Sequence, residues 1–245
     1  MVATGICCSV GSRRHVVIHR CCEASPAQGT TSSTASAKYL DFRSGIMGEL
    51  QETSRLRIHQ CTLAEIEQSG IVGLRVAHIA EAAEVSVALI YKYYKDRDGL
   101  LAAVLGKEIA NYYLDDVRNI RNLVESNTTV TIDVLMQALP MPEEVARVKR
   151  RALRMQIFAA SEELPELRKA LGEAQKTIHD AVCDLMNDVR KRSGATSPIS
   201  TDVISFAVQA MGFSFGFNDV MVDKPLNNAN YSAFMRDFLT RYLLT

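Results

Sequence analysis

Between Ser86 and Arg97 the chain alternates phenols with cations: Tyr91, Lys92, Tyr93, Tyr94, Lys95 and Arg97. Side chains of these types donate hydrogen bonds and positive charge to phosphate oxygens. Ser86 stands just ahead of them, placed to cap a helix and to offer its hydroxyl to a phosphate. Val87, Ala88 and Leu89 follow, and their only base chemistry is apolar contact with a thymine methyl. Such a set suits a protein that touches both the backbone and the groove of a duplex. Other chemistry is thin. His59, His78 and His179 have no Cys, Ser or carboxylate beside them in a catalytic pattern, and no Gly-rich loop cradles a phosphate, so no enzyme and no cofactor are expected. The doublets Cys7-Cys8 and Cys21-Cys22, taken with His15 and His19, match no metal-ligand spacing, so no metal is expected. The basic run Lys149-Arg150-Arg151 with Arg154 reads as a solvated helix face paired with Glu143 and Glu144.

Two short helices must position the phenols and cations. The pattern predicts one over 76–83, with Ile79 and Ala80 turned inward, and one over 87–94. Only a few residues join them, which forces a steep crossing, the helix-turn-helix arrangement. Its second helix is the one that enters a major groove, first turn foremost. Ile79, Ala80, Val85 and Ile90 form the small core between the two. Ahead of them Ile58, Cys61, Thr62 and Ile66 repeat at helical spacing, and Ser69-Gly70 stops that helix. Behind them a helix starts near Asp98. Pro142-Glu143-Glu144 and Pro165-Glu166 open two more, with Pro in the first turn and acids at the positive end of the dipole. Thr201-Asp202 caps a helix through about 222, and Tyr231, Phe234, Phe238 and Tyr242 stripe the last. No segment alternates with period two, so the expected fold is all-α, with about nine helices.

The 245 residues balance 28 Lys+Arg against 28 Asp+Glu, and 47% are apolar. That is enough for one large or two small domains. The longest apolar stretch, 203–218, is short of a membrane span. A soluble, cytoplasmic protein without a membrane partner is expected. Residues 1–46 differ from the rest: 24–37 is almost wholly Ala, Ser, Thr, Gly, Pro and Gln, too poor in apolar groups to offset the entropy of ordering. They read as a disordered extension, with Met47 as an alternative start.

The segment 54–105 resembles the TetR family of bacterial transcriptional regulators. The resemblance is carried by Ile58, Gly70, Ile79-Ala80, Ala83, Val85-Ser86, Ile90-Tyr91, Tyr93-Tyr94, Arg97 and Leu100-Leu101, in order and without a gap. It implies a three-helix DNA-binding domain at 52–112, with its helix-turn-helix at about 75–94, and a helical effector-binding and dimerisation domain at 113–245. The sequence departs from the family pattern at Arg75 (usually Ser or Thr), Glu84 (usually Gly), Val87 (usually Lys or Arg) and Leu89 (usually Thr or Ser). A left-handed Glu84 costs about 1 kcal/mol. Residues 54–105 hold six cations and six acids, a poor balance for counterion release.

The expected function is therefore a homodimeric repressor of a palindromic double-stranded operator, released by a small, mainly apolar effector. The other reading is a dimeric helical ligand-binding protein with a degenerate DNA-binding domain. The expected DNA contacts are Arg75, Ser86, Val87, Ala88, Leu89, Tyr91, Lys92, Tyr93 and Arg97. Met136, Met155, Phe158, Met186, Phe206 and Met211 are expected to line the effector pocket. Val208, Gly212 and Gly216, with Phe234 and Phe238, are expected at the dimer seam.

Overall fold

A computed structural model describes residues 33–245, with side chains from Gln51 onward. The Cys doublets, His15, His19 and most of the 1–46 extension lie outside the described residues. The chain divides into two units, Met1–Gly48 and Glu49–Thr245, and the second holds the helix-turn-helix and both apolar cores. The described residues form nine helices and no strand: α1 (Ser33–Gly73), α2 (Val76–Ala82), α3 (Val87–Tyr94), α4 (Arg97–Ser126), α5 (Ile132–Gln137), α6 (Val145–Ser161), α7 (Pro165–Ser193), α8 (Thr201–Val220) and α9 (Asn228–Tyr242). Because α1 begins at Ser33, the end of the expected extension is helical. Once a helix is nucleated downstream, each added residue brings a hydrogen bond, and composition alone does not stop it.

Most ends carry the signals their sequences promise. Helical geometry breaks inside α1 at Gly70, at φ 71° and ψ 172°, a conformation open to glycine alone. Asp96 caps α4 by accepting from the Gly99 N–H at 2.7 Å. At Gly99 a Cβ would overlap the Tyr94 carbonyl oxygen, so only glycine lets α4 start this close to the end of α3. Gly194 ends α7 in the left-handed region. One start is displaced: α6 begins at Val145, because 142–144 form a turn, and the Pro142 carbonyl accepts from Arg151 instead.

Two apolar cores share α4 and α7, the most extensively packed pair. The first holds Ile58 of α1, Ile79 and Ile90 of α2 and α3, Leu100, Leu101 and Leu105 of α4, and Leu167 and Ile178 of α7, all but fully buried. Each such side chain contributes roughly 1.5–3 kcal/mol by leaving water. The second holds Val117 and Val124 of α4, Leu185 and Val189 of α7, Ile204 of α8, and Met235 and Leu239 of α9. The expected boundary near 112 falls in the middle of α4, which runs unbroken through both cores. Among the described residues no helix is long and apolar enough to cross a membrane.

Candidate functional site

The α2–α3 turn is a Schellman motif. The Val85 N–H donates to the Ala80 carbonyl at 2.9 Å and the Glu84 N–H to the Glu81 carbonyl at 3.1 Å. That geometry demands a left-handed residue, and Glu84 takes it at φ 53°. Its exposed pair with Arg57, at 3.8 Å, offsets little of the cost. Glu84→Gly is therefore expected to stabilise the protein by about 1 kcal/mol. That corresponds to a melting temperature about 2–4 °C higher for a chain of this size. A lower melting temperature by circular dichroism would show that the ion pair outweighs the strain.

Ser86 caps α3, its Oγ accepting from the Leu89 N–H at 3.1 Å, which leaves its O–H free to donate outward. Ile90 turns inward and is fully buried; Ala88, Tyr91, Lys92 and Lys95 turn outward, with Leu89 half-exposed among them. Arg75 is exposed at the start of α2, where its backbone N–H donates to Glu65 at 3.3 Å. Glu65 ties this end down. Burial works against its charge, but hydrogen bonds from Ser69 and Arg75 and the nearby His78 hold its carboxyl below the usual range.

Three expected contacts are placed otherwise. Val87 packs half-buried against the first core. Tyr93 lies under the Arg55 guanidinium, 4.9 Å from its ring centre, and edge-on to Tyr94. Arg97 folds back onto the end of α1, its Nη2 donating to the Ile71 carbonyl at 2.6 Å and the Val72 carbonyl at 3.1 Å. Its guanidinium satisfies carbonyls that the end of α1 at Gly73 leaves without helical partners. The outward set is thus Arg75, Ser86, Ala88, Leu89, Tyr91 and Lys92, joined by Lys95.

The second feature is a cavity of about 190 Å³ between α4 and α9. Tyr112, Tyr113 and Asp116 of α4 line it, as do Val182, Leu185, Met186 and Val189 of α7, and Tyr231, Met235 and Leu239 of α9. α6 contributes Arg147, Arg151 and Arg154, one helical stripe. This corrects the solvated-face reading for Arg151 and Arg154, each only 6% exposed, while Lys149 and Arg150 of the same run are exposed. Arg147 donates to Asp116 at 2.7 and 2.8 Å and to the Tyr112 hydroxyl at 2.8 Å. Arg151 grips both oxygens of Asp219 at 2.7 and 2.8 Å. Arg154 reaches the Tyr113 hydroxyl and the Gly212 carbonyl, the latter at 2.6 Å. Burial pushes the phenols of Tyr113 and Tyr231 up, that of Tyr231 to about 12, so both stay neutral.

Of the six expected pocket residues only Met186 lines the cavity. Met211 packs on the second core, and Met136 is half-buried on α5. Phe158 stacks edge-on against Phe213 at 5.0 Å, one turn beyond the arginine stripe. Met155 packs where a Cβ at Gly216 would stand, and Phe206 is 73% exposed. The expected seam is turned about as well. Val208 and Gly212 face the cavity and Gly216 faces Met155, because the thin side of α8 admits the long side chains of α6. The bulky side faces out instead: Val203, Phe206, Phe217 and Val220 are exposed. On α9 Phe234 is half-exposed and stacks on Phe238, which leans on Tyr242.

Among the described residues one group has metal-ligand atoms within 4.8 Å of one another: His179, Cys183 and Asp202. Hydrogen bonding accounts for it, since His179 sits between Asp202 at 3.3 Å and Ser205 at 3.1 Å.

The comparisons with known proteins agree with this geometry. The family model described as "Bacterial regulatory proteins, tetR family" matches residues 60–104, the end of α1 through the first turns of α4. The chain is 36% identical over 56 residues to the helix-turn-helix-type transcriptional regulator BetI of Paraburkholderia phymatum, covering 23% of this chain and 29% of that protein. It is 38% identical over 58 residues to a helix-turn-helix-type transcriptional repressor of Streptomyces coelicolor, covering 24% and 30%. The match thus spans about three tenths of the length of these curated relatives. A crystal structure from Mesorhizobium loti, assigned to the TetR family, shares the fold over 78% of this chain and 96% of its own, with a TM-score of 0.62 and 17% identity. Residues 60–104 thus match the helix-turn-helix region of the tetR family of bacterial regulatory proteins, and the all-helical body shares the fold of a solved structure assigned to that family.

Proposed function

We propose that the protein is a ligand-responsive transcriptional repressor: a homodimer that holds a palindromic operator through two α2–α3 heads and releases it when a small molecule fills the cavity. The observation that carries this reading is the continuity of α4. Its first turns, with Leu100, Leu101 and Leu105, seat the head in the first core, and its middle, with Tyr112, Tyr113 and Asp116, walls the cavity. A ligand touching Tyr113 bears on the same rod that seats α3. It shifts the balance only by its differential affinity for the two arrangements, and release follows once the two heads no longer match half-sites about 34 Å apart. The outward apolar faces of α8 and α9 supply the seam between protomers.

In the groove, Ala88 and Leu89 meet thymine methyls, while Arg75, Ser86, Tyr91 and Lys92 contact phosphates. Selection from random DNA followed by gel shifts tests this. Lys92→Ala is expected to weaken all sequences alike and to reduce the salt slope by about one unit for each phosphate left without its cation. Leu89→Ala is expected to leave the slope unchanged and relax preference at one thymine-bearing step. A change of sequence preference in Lys92→Ala with an unchanged slope would mean that α3 is rotated in the groove. Selection that enriches no sequence would favour the ligand-binding protein with a degenerate head.

A further inference from the structure

We infer that the ligand of the cavity is a monocarboxylate with an apolar body, its charged end received by Arg154. The inference rests on the ligand-responsive reading above and adds the chemistry of the ligand. Three guanidinium groups line the cavity, and two are neutralised in place, Arg147 by Asp116 and Arg151 by Asp219. Arg154 is buried as deeply as Arg151, yet among the described residues it has no carboxylate partner. Both of its polar contacts are neutral, the Tyr113 hydroxyl and the Gly212 carbonyl. Its Nε–H has no partner at all. The aromatic rings beside it, Tyr113 and Phe213, supply π density and no counter-charge. Tyr113 does not ionise to balance it, because burial pushes that phenol upward.

A guanidinium does not shed its proton, so it cannot escape the cost of burial as a lysine or a carboxyl group does. The ligand-free protein therefore holds one uncompensated positive charge in the cavity wall. A carboxylate matches the planar N–H fork of arginine. Tyr113 fits the same guest: its oxygen accepts from Arg154, which leaves its O–H to donate to a ligand oxygen. One excess charge selects one negative charge, and a phosphate group with about −1.5 to −2 charges would remain partly unpaired. Apart from Arg154, Tyr113, the two paired arginines, Asp116, Tyr112, Gln209 and Tyr231, the rest of the wall is apolar, with Val182, Leu185, Met186, Val189 and Leu239 offering no donor. At about 190 Å³ the space exceeds the ~150 Å³ that holds benzene. The apolar body is thus a single ring or a short alkyl chain.

Calorimetric titration of the full chain tests this with 3-phenylpropionate and octanoate, their uncharged counterparts 3-phenylpropanol and octan-1-ol, and inorganic phosphate. Each acid is expected to bind roughly tenfold or more tighter than its alcohol, with phosphate weaker than either acid. In Arg154→Met, which keeps an apolar side chain of similar length, acid and alcohol are expected to bind alike. If that variant does not fold, Tyr113→Phe is expected to weaken the acids and spare the alcohols. Three results would each overturn the inference: alcohols or phosphate binding the native protein as well as the acids do; an acid preference undiminished in Arg154→Met or, where that variant does not fold, in Tyr113→Phe; or no binding of any organic probe up to millimolar concentration. Gel shifts on the selected operator separate the two readings. Acids that bind without releasing DNA support the inference and overturn the regulatory reading. Alcohols that release DNA with no acid preference do the reverse.

Discussion

Asp219→Ala is expected to destabilise the protein by about 3–5 kcal/mol, the usual loss when one partner of a buried ion pair is removed. Arg151 is buried, and its Nε and Nη2 both donate to Asp219. The further contacts, from Nη1 to the Pro142 carbonyl and from the guanidinium to the Phe215 ring at 5.5 Å, supply no counter-charge. Truncating Asp219 leaves a largely buried guanidinium without its counter-charge, and that group cannot neutralise. The pair also joins α6 to the end of α8, so its loss loosens the cavity wall. The double variant Arg151→Met with Asp219→Leu removes both charges and is expected to recover most of the stability, since apolar replacements of buried pairs are often neutral or better. Urea denaturation of the three proteins checks this. A single-variant loss under about 1 kcal/mol would show that water screens the pair as it does at a surface.

Phe206→Glu combined with Phe217→Glu is expected to turn the proposed dimer into a monomer. Both side chains stand on the outer face of α8, exposed beside Val203 and Val220, with Phe234 and Tyr242 exposed on α9. A contiguous apolar face of this kind marks an interaction surface. Carboxylates at the centre of a two-fold interface meet their own copies and lose water at once. Light scattering should report the monomer mass with unchanged helical circular dichroism. Operator affinity should fall roughly a hundredfold or more, because each head then binds without the other's effective concentration. Gly212→Ala is the control: no atom lies within 4 Å of the added Cβ, and the residue faces the cavity, so the dimer should persist. A dimer that survives both glutamates would place the seam on another face.

The local chemistry of the chain determined much of this protein before any contact was known. Helical spacing of Ile58 and Ile66, the short join between α2 and α3, the cap at Ser86 and the stops at Gly70 and Gly194 depend on neighbours within a turn or two, and each stands where its sequence puts it. The strain at Glu84 was legible for the same reason, since a Schellman turn needs a left-handed residue whatever surrounds it. What only the tertiary structure decided is which side of each helix faces what. Arg151 and Arg154 read as part of a solvated face because charge favours water, and Arg151 is buried where Asp219 arrives from a helix distant in sequence. The glycines of α8 read as a seam between protomers because small residues permit close approach. Close approach has no address: Gly216 admits Met155 of α6 in the same chain, and Gly212 faces the cavity. Arg97 read as a phosphate ligand until the end of α1 supplied carbonyls nearer to hand. In each case the residue type states what a side chain can satisfy, and the choice of partner is a long-range competition that the packing of α4, α6, α7 and α8 resolves.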